Sequence, residues 1–192
     1  MTPHRPIEII GGGLAGLSLG LALRRADVPV TLIESGSYPR HRVCGEFITG
    51  LRSATIARLG LAPFLSDAIR HREVAWFQNE TLIRIQALPA PALGLSRDAL
   101  DARLAAAFTA SGGELRTGTR ATDCAPQPGR VQATGRVRGD SPWIGLKLHV
   151  RGLALTRGLE LHLGDDAYLG LAAIETGEVN VCGLFRRRRT AH

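Results

Sequence analysis

The sequence contains few aromatic residues and few cysteines, which argues against several classes of protein. Aromatic residues make up 5% of the 192 residues, too few for a surface on which bases stack. The three cysteines, Cys44, Cys124 and Cys182, lie far apart without C-x-x-C spacing, so neither a disulfide framework nor a metal site is expected. No leader-like segment or membrane-length apolar run is evident. These absences predict a cytoplasmic protein in a reducing compartment.

Charge gives little information about partners. The formal net charge is +7, but the arginines are scattered, and the single dense run is Arg186 to Arg189. A nucleic-acid partner is therefore not expected. Membrane contact is not expected either, although a lipophilic substrate is compatible with the sequence. With 44% hydrophobic residues, 23 glycines and 10 prolines, the chain reads as globular and rich in tight turns.

The first 34 residues follow a strand, turn, helix, strand pattern. Residues 7–10 form a β-branched run, leucines at helical spacing follow a glycine turn, and residues 30–33 form a second apolar run. The helix should end near Ala26-Asp27, because Pro29 disfavours helical geometry at the residue before it. This pattern predicts a βαβ unit with two parallel strands.

The turn in this unit carries the G-x-G-x-x-G spacing at Gly11, Gly13 and Gly16. Gly11 allows a tight turn, Gly13 lets the backbone approach a pyrophosphate, and Gly16 lets the helix pack closely on the sheet. Glu34 ends the second strand, where its carboxylate can accept hydrogen bonds from a ribose and would repel a 2′-phosphate. The pattern favours FAD or NAD over NADP, and a glycine turn that binds nothing stays open.

The following loop distinguishes these cofactors by resemblance. Residues 38–47, Y-P-R-H-R-V-C-G-E-F, resemble the segment after the second strand in the geranylgeranyl-reductase-like branch of FAD-dependent oxidoreductases. Their wider superfamily includes aromatic hydroxylases and flavin halogenases. The resemblance implies bound FAD, with Arg42 and the Cys44-Gly45-Glu46 turn facing its ribityl chain or isoalloxazine. Contacts to FAD are expected from Gly11, Gly13, Leu14, Ala15, Gly16, Glu34, Arg42, Cys44, Gly45 and Arg97.

Further matches extend over most of the chain. Residues 96–101 resemble the family's S-R-x-x-L-D helix start, residues 133–136 its D-A-T-G-R turn, and residues 143–149 the opening of its substrate domain. Two departures stand out. Gln132 replaces the usual Asp, and the short path from Gly118 to Gly135 leaves room for fewer strands. The family's second Gly-Asp motif is absent, which suggests a fragment or a truncated product.

The expected fold is α/β, a Rossmann-like FAD-binding βαβ domain followed by the beginning of an antiparallel-sheet substrate domain. The FAD-binding domain is expected over residues 1–140, interrupted near 68–95 by a hairpin belonging to the substrate side. Residues 141–192 form a partial substrate domain. Its strands are predicted at Trp143 to Val150, Leu159 to Leu163, Tyr168 to Ile174 and Val179 to Phe185, the last two forming an antiparallel pair.

Few side chains are candidates for catalysis. Cys44 is either a reactive thiol, with a pKa lowered by Arg42, or a small packing residue. Glu46 is a proton donor, a partner of the flavin loop or a solvated surface acid. His149 and His162 lie on predicted strands and could face a substrate cavity, but both are interpreted as structural, and Lys147 is interpreted as a surface charge.

The expected function is that of an FAD-dependent oxidoreductase with NAD(P)H as external reductant. The reduced flavin would either reduce an unsaturated small molecule or activate dioxygen for hydroxylation of an aromatic one. One alternative is a catalytically inactive truncated flavoprotein or nucleotide-binding module. Another is an NAD-dependent dehydrogenase, which the Cys-Gly-Glu loop and the lack of a recognisable catalytic His or Lys-Tyr arrangement disfavour.

Overall fold

The computed structural model describes residues 5–122, 124–136 and 139–187. These residues form two compact units. The first unit contains described residues within 1–41, 52–64 and 98–138, and the second contains those within 42–51, 65–97 and 139–192. The run from Arg186 to Arg189 extends beyond residue 187, so Arg188 and Arg189 lie outside the described residues.

Helices and strands are interspersed up to Ala110, and the later elements are strands. In chain order they are β1 (Ile7–Ile10), α1 (Leu14–Arg25), β2 (Val30–Ile33), β3 (Phe47–Ile48), α2 (Ser53–Leu59), a 3-10 turn (Ala62–Leu65), β4 (Ile69–Gln78), β5 (Thr81–Gly94), α3 (Arg97–Ala110), β6 (Glu114–Arg116), β7 (Arg130–Gln132), β8 (Trp143–Val150), β9 (Leu159–Leu163), β10 (Ala167–Ala173) and β11 (Val179–Arg186). Among the described residues, no helix combines the length and the apolar character needed to cross a bilayer.

The first unit is built on a four-stranded parallel sheet in the order β6-β2-β1-β7. The predicted βαβ unit and its parallel pairing are confirmed, with Ile7 opposite Val30 and Ile10 opposite Ile33. Leu17 of α1 and Phe108 of α3 are fully buried in this unit. A fully buried Phe of this kind stabilises a core by about 3–5 kcal/mol relative to Ala.

The second unit is built on a seven-stranded sheet in the order β3-β5-β4-β9-β10-β11-β8. Its neighbouring strands are antiparallel except for β4 and β9, which are parallel. The predicted antiparallel pairing of the last two strands is confirmed, and Gly177 makes the turn between them with a positive φ of 78°. Together the two sheets confirm the α/β class.

Three parts of the fold are not apparent from the sequence. Pro89 and Pro91, which are typical of a break between regions, lie inside β5. They are tolerated because the β4–β5 register jumps from the Ala87 pair to the Ala92 pair, so the ladder needs no amide from them. Residues 35–50, whose polar composition is typical of a long loop, contain β3, and the short path from Gly118 to Gly135 contributes β7.

Candidate functional site

The turn after β1 has a backbone that only glycine fits. Gly11 has a φ of 108°, and a Cβ placed there would lie 2.4 Å from the Ala133 carbonyl oxygen. A Cβ on Gly16 would lie 2.0 Å from the Gly11 carbonyl oxygen, so the start of α1 packs directly on the turn. The geometric reasons for glycine at these positions therefore hold, whereas their contact with a nucleotide stays a prediction.

The N-terminus of α1 points donors at this turn. Gly13 is the N-cap, in extended conformation, and within the described part of the chain no side chain makes a capping hydrogen bond to it. The first turn of α1 contains no acidic residue, and Ala15 is exposed there beside the half-buried Leu14. Uncapped amides and the positive end of the helix dipole favour an anion such as a diphosphate.

The Glu34 carboxylate is directed at the same turn. Its side chain is buried, with the residue 3% exposed, and its Oε2 accepts a hydrogen bond from the Gly12 amide at 2.8 Å. Its Oε1 accepts from the Gly36 amide at 2.8 Å and from Arg40 Nη2 at 2.6 Å. These charge-assisted bonds fix the carboxylate beside the glycine turn, which is the placement that a ribose contact requires.

Tyr38 and Arg40 complete this arrangement, and sequence reasoning did not select either as a site residue. The Tyr38 hydroxyl donates to the Gly12 carbonyl oxygen at 2.5 Å, and a Cβ on Gly12 would lie 1.9 Å from that hydroxyl. Both residues were visible only as part of the resembling loop. The sequence offered one signal for them: an aromatic residue and a cation follow shortly after the acid that ends the strand.

In the second unit, Glu46 is the centre of a buried polar cluster. The residue is 1% exposed and has a φ of 55°, which is uncommon for a residue with a side chain. Its Oε1 accepts from the Arg97 amide at 2.7 Å and from Lys147 Nζ at 2.6 Å. Its Oε2 is 2.6 Å from His149 Nε2. The reading of Glu46 as a solvated surface acid is therefore wrong.

Lys147 is also not the surface charge that was expected. Its side chain is 3% exposed, because β8 directs it and His149 to one face of the sheet, where Glu46 lies. A buried ammonium requires a partner of opposite charge, and Glu46 supplies it. His149 is a polar partner in this cluster, whereas His162 stacks on Phe77 with ring centroids 4.4 Å apart.

The start of α3 is held by carboxylates from other parts of the chain. The predicted helix begins at Arg97 as expected, and it is the Arg97 amide that reaches Glu46. Ser96 is of a type favoured at a helix N-cap, but it donates its hydroxyl and its amide to the Glu175 carboxylate. A carboxylate at a helix N-terminus is favourable, so Glu46 performs part of the role of a capping side chain.

Cys44 lies between this cluster and β11. It is half-buried, its Sγ accepts from the Glu46 amide at 3.4 Å, and its carbonyl oxygen accepts from Asn180 Nδ2 at 3.0 Å. A Cβ on Gly45 would lie 2.8 Å from the Phe47 ring, which explains glycine there. Arg42, two residues before Cys44, is half-buried.

The predicted FAD contacts are thus divided between the units. The first unit brings together the glycine turn, the α1 N-terminus and Glu34, and the second brings together Cys44, Gly45, Glu46 and the Arg97 amide. Direct contact of any of these residues with a cofactor stays a prediction.

Comparison with known proteins places these features in context. A sequence family described as an NAD(P)-binding Rossmann-like domain matches residues 9–46, which contain the glycine turn, Glu34 and the Cys-Gly-Glu motif. The menaquinone reductase of Mycolicibacterium smegmatis is 27% identical over 138 residues, which are 69% of this chain and 34% of that protein. The chain therefore spans about a third of the length of this curated relative.

Solved structures resemble the chain over nearly its whole length. The tetrameric 2-methyl-3-hydroxypyridine-5-carboxylic acid oxygenase matches with a TM-score of 0.75 at 19% identity, covering 95% of this chain and 59% of that one. The myxobacterial chondrochloren halogenase CndH, an FAD-dependent halogenase, matches with a TM-score of 0.74 at 18% identity, covering 95% and 53%. The predicted resemblance to FAD-dependent, hydroxylase-like flavoproteins is confirmed in the fold, which is what structures at this identity establish.

Proposed function

We propose that this chain binds FAD at the turn after β1 and supplies the FAD-binding part of an oxidoreductase. The observation that carries the proposal is the Glu34 carboxylate bonded to the Gly12 amide, next to an α1 N-terminus without a side-chain cap. One end of such a site suits a diphosphate and the other suits ribose hydroxyls. The site therefore fits the dinucleotide half of FAD.

When bound, FAD supplies hydride and electron transfer. The amides of Gly13, Leu14 and Ala15 would hold its diphosphate, and Glu34 would hold its adenosine ribose. Arg42, Cys44, Gly45 and Arg97 remain the proposed contacts nearer the flavin. Glu46 orients this segment by fixing the Cys44-Gly45-Glu46 turn against Arg97 and Lys147.

For the reaction, we favour reduction of a menaquinone-type substrate with NAD(P)H as external reductant. The support is the named activity of the curated relative, which is more similar in sequence than the oxygenase and the halogenase. Hydroxylation of an aromatic substrate is the second candidate, favoured by the fold shared with the oxygenase.

The cofactor assignment is tested by reconstitution. Purified chain incubated with FAD and freed of excess ligand should retain the flavin absorption spectrum, and Gly13→Val should lose it because a side chain would keep the backbone away from the diphosphate. Gly139→Ala is the matched control, since a Cβ there meets nothing within 4 Å. Retention of NAD without FAD would contradict the proposal.

The reaction is tested separately. Reconstituted protein should oxidise NADH or NADPH faster when a short-chain naphthoquinone is added, with quinol formed in step with the nicotinamide oxidised. Flavin binding without such turnover would support the alternative of a nucleotide-binding module. Formation of a hydroxylated product with consumption of dioxygen would favour the oxygenase alternative.

A further inference from the structure

Two thiols from distant parts of the chain lie in one neighbourhood of the second unit. Cys182 belongs to β11 and is 6% exposed, whereas Cys44 belongs to the loop before β3 and is half-buried. Both are free thiols. The third cysteine, Cys124, is exposed and lies in the first unit.

Hydrogen bonds on both sides of Cys44 fix it against β11. The Cys44 backbone hydrogen-bonds the Cys182 thiol, and the Cys44 carbonyl oxygen accepts from Asn180 Nδ2 at 3.0 Å. Asn180 and Cys182 are two residues apart on one strand, so their side chains share a face. The hydrogen bond between the Cys44 backbone and the Cys182 thiol places the two side chains in one neighbourhood, and a change of the Cys44 rotamer changes the distance between the two sulfur atoms.

The surroundings give the two thiols different accessibility. Burial, and next the neighbouring Cys44, raise the pKa of the Cys182 thiol, which therefore stays protonated and shielded. Burial is the main cause that raises the pKa of the Tyr168 hydroxyl, and the nearby Cys182 and Cys44 raise it further. The three groups therefore lie in one neighbourhood. An oxidant from solvent would thus meet Cys44 first and Cys182 afterwards.

We propose that Cys44 and Cys182 form a reversible disulfide when the protein meets a hydroperoxide. The Cys44 thiolate attacks the peroxide, the O–O bond breaks, and Cys44 becomes a sulfenic acid as water or an alcohol leaves. The Cys182 sulfur then attacks Cys44, the S–S bond forms, the S–O bond breaks, and water leaves with the Cys182 proton. Two thiols lose two electrons, and one peroxide is reduced.

The consequence is local to the second unit. The bond would tie the Cys44-Gly45-Glu46 turn covalently to β11, where hydrogen bonds alone now hold it. In a reducing compartment such a bond is transient, as expected of a redox-sensing pair. The modification is independent of the proposed reaction, since it requires only the folded second unit and a hydroperoxide.

The experiment is a thiol map of the purified chain after brief treatment with hydrogen peroxide. The chain is then unfolded, alkylated, and analysed by intact mass and peptide mapping. We expect the mass to fall by two hydrogens before alkylation, one thiol instead of three to be alkylated, and one linked peptide pair containing Cys44 and Cys182. Dithiothreitol should restore all three thiols.

Matched variants separate this pair from other oxidation. Cys124→Ser should still form the link, whereas Cys182→Ser should accumulate oxygen on Cys44 instead. Peroxide applied in urea should yield no selective Cys44–Cys182 link, which shows that the fold brings the thiols together without relying on a variant. Wild-type protein that gains oxygen on Cys44 while Cys182 remains alkylatable, or that links through Cys124, would overturn the proposal.

Discussion

The shape of the turn after β1 is set by glycine backbone, to which the Glu34 carboxylate and the Tyr38 hydroxyl are bonded, whereas the turn at residues 44–46 is held through the side chain of Glu46. In the first, positive φ at Gly11 and close packing at Gly16 fix the shape, and both glycines belong to one βαβ unit. In the second, Glu46 is held by partners 101 and 103 residues away in sequence. A backbone-built turn should therefore tolerate no added Cβ, and a side-chain-built turn should tolerate no loss of charge.

The largest effect is expected from breaking the buried ion pair. Glu46→Gln leaves the Lys147 ammonium buried without its carboxylate, and we expect a loss of about 3–5 kcal/mol in the free energy of unfolding. Urea denaturation measures it. The double variant Glu46→Gln/Lys147→Met should recover most of the loss, because both charges are then gone.

A surface pair is the control for this prediction. Glu114 and Arg116 form an ion pair at 2.7 Å with both side chains more than half exposed, so Glu114→Gln should leave the melting temperature unchanged. If Glu46→Gln and Glu114→Gln lowered the stability equally, the distinction between buried and exposed ion pairs would be contradicted.

The next effect is expected from a single added Cβ. Gly11→Ala combines an unfavourable φ with a clash against the Ala133 carbonyl, and we expect a cost of about 2–4 kcal/mol in stability. Gly152→Ala shares the positive φ but meets nothing within 4 Å, so its cost should be about 1–2 kcal/mol. If both variants lose the same stability, the close approach at Gly11 is not what requires glycine.

A smaller effect is expected at Tyr38. Tyr38→Phe removes one hydrogen bond to the Gly12 carbonyl, which should cost about 1 kcal/mol in thermal or urea unfolding. Because the Gly12 carbonyl is not one of the groups proposed to hold the diphosphate, FAD affinity should change little. A loss of FAD binding as complete as that of Gly13→Val would mean that the site depends on the Tyr38 side chain.

The smallest effect is a pH dependence in the second unit. Burial lowers the pKa of His71, while its Nε2 hydrogen bond to the Ala173 carbonyl partly opposes that. The unfolded chain then takes up a proton below about pH 6.5 that the folded chain resists, so stability should fall as pH drops from 7 towards 5. His71→Gln should flatten this part of the urea-unfolding profile, and an unchanged slope would assign it to other groups.

Elements with a local sequence pattern could be predicted, whereas those that depend on distant partners could not. The bounds of β1, β2, β8 and β9 agree with the expectation, because each is an apolar or alternating run with a local period. β3, β6 and β7 are two or three residues long and carry no such period. Pro89 and Pro91 argue against a continuous strand, but β5 accommodates them because a register shift removes the need for their amides.

The candidate site divides in the same way. The glycine turn and Glu34 were readable because spacing and strand position specify them within 34 residues. The Glu46 cluster was not readable, because nothing local indicates that Lys147 is buried or that the Arg97 amide donates to Glu46. Long-range pairing of charges is decided by topology.

The most direct test of FAD binding at the first turn is an amide NMR titration of the purified chain with FAD. The amide signals of Gly12, Gly13, Leu14 and Ala15 should shift in proportion to the fraction bound and saturate at one FAD per chain, while those of Gly152 and Gly177 stay in place. Saturable binding of FAD that leaves the four turn amides unshifted would contradict the assignment of the diphosphate to this turn.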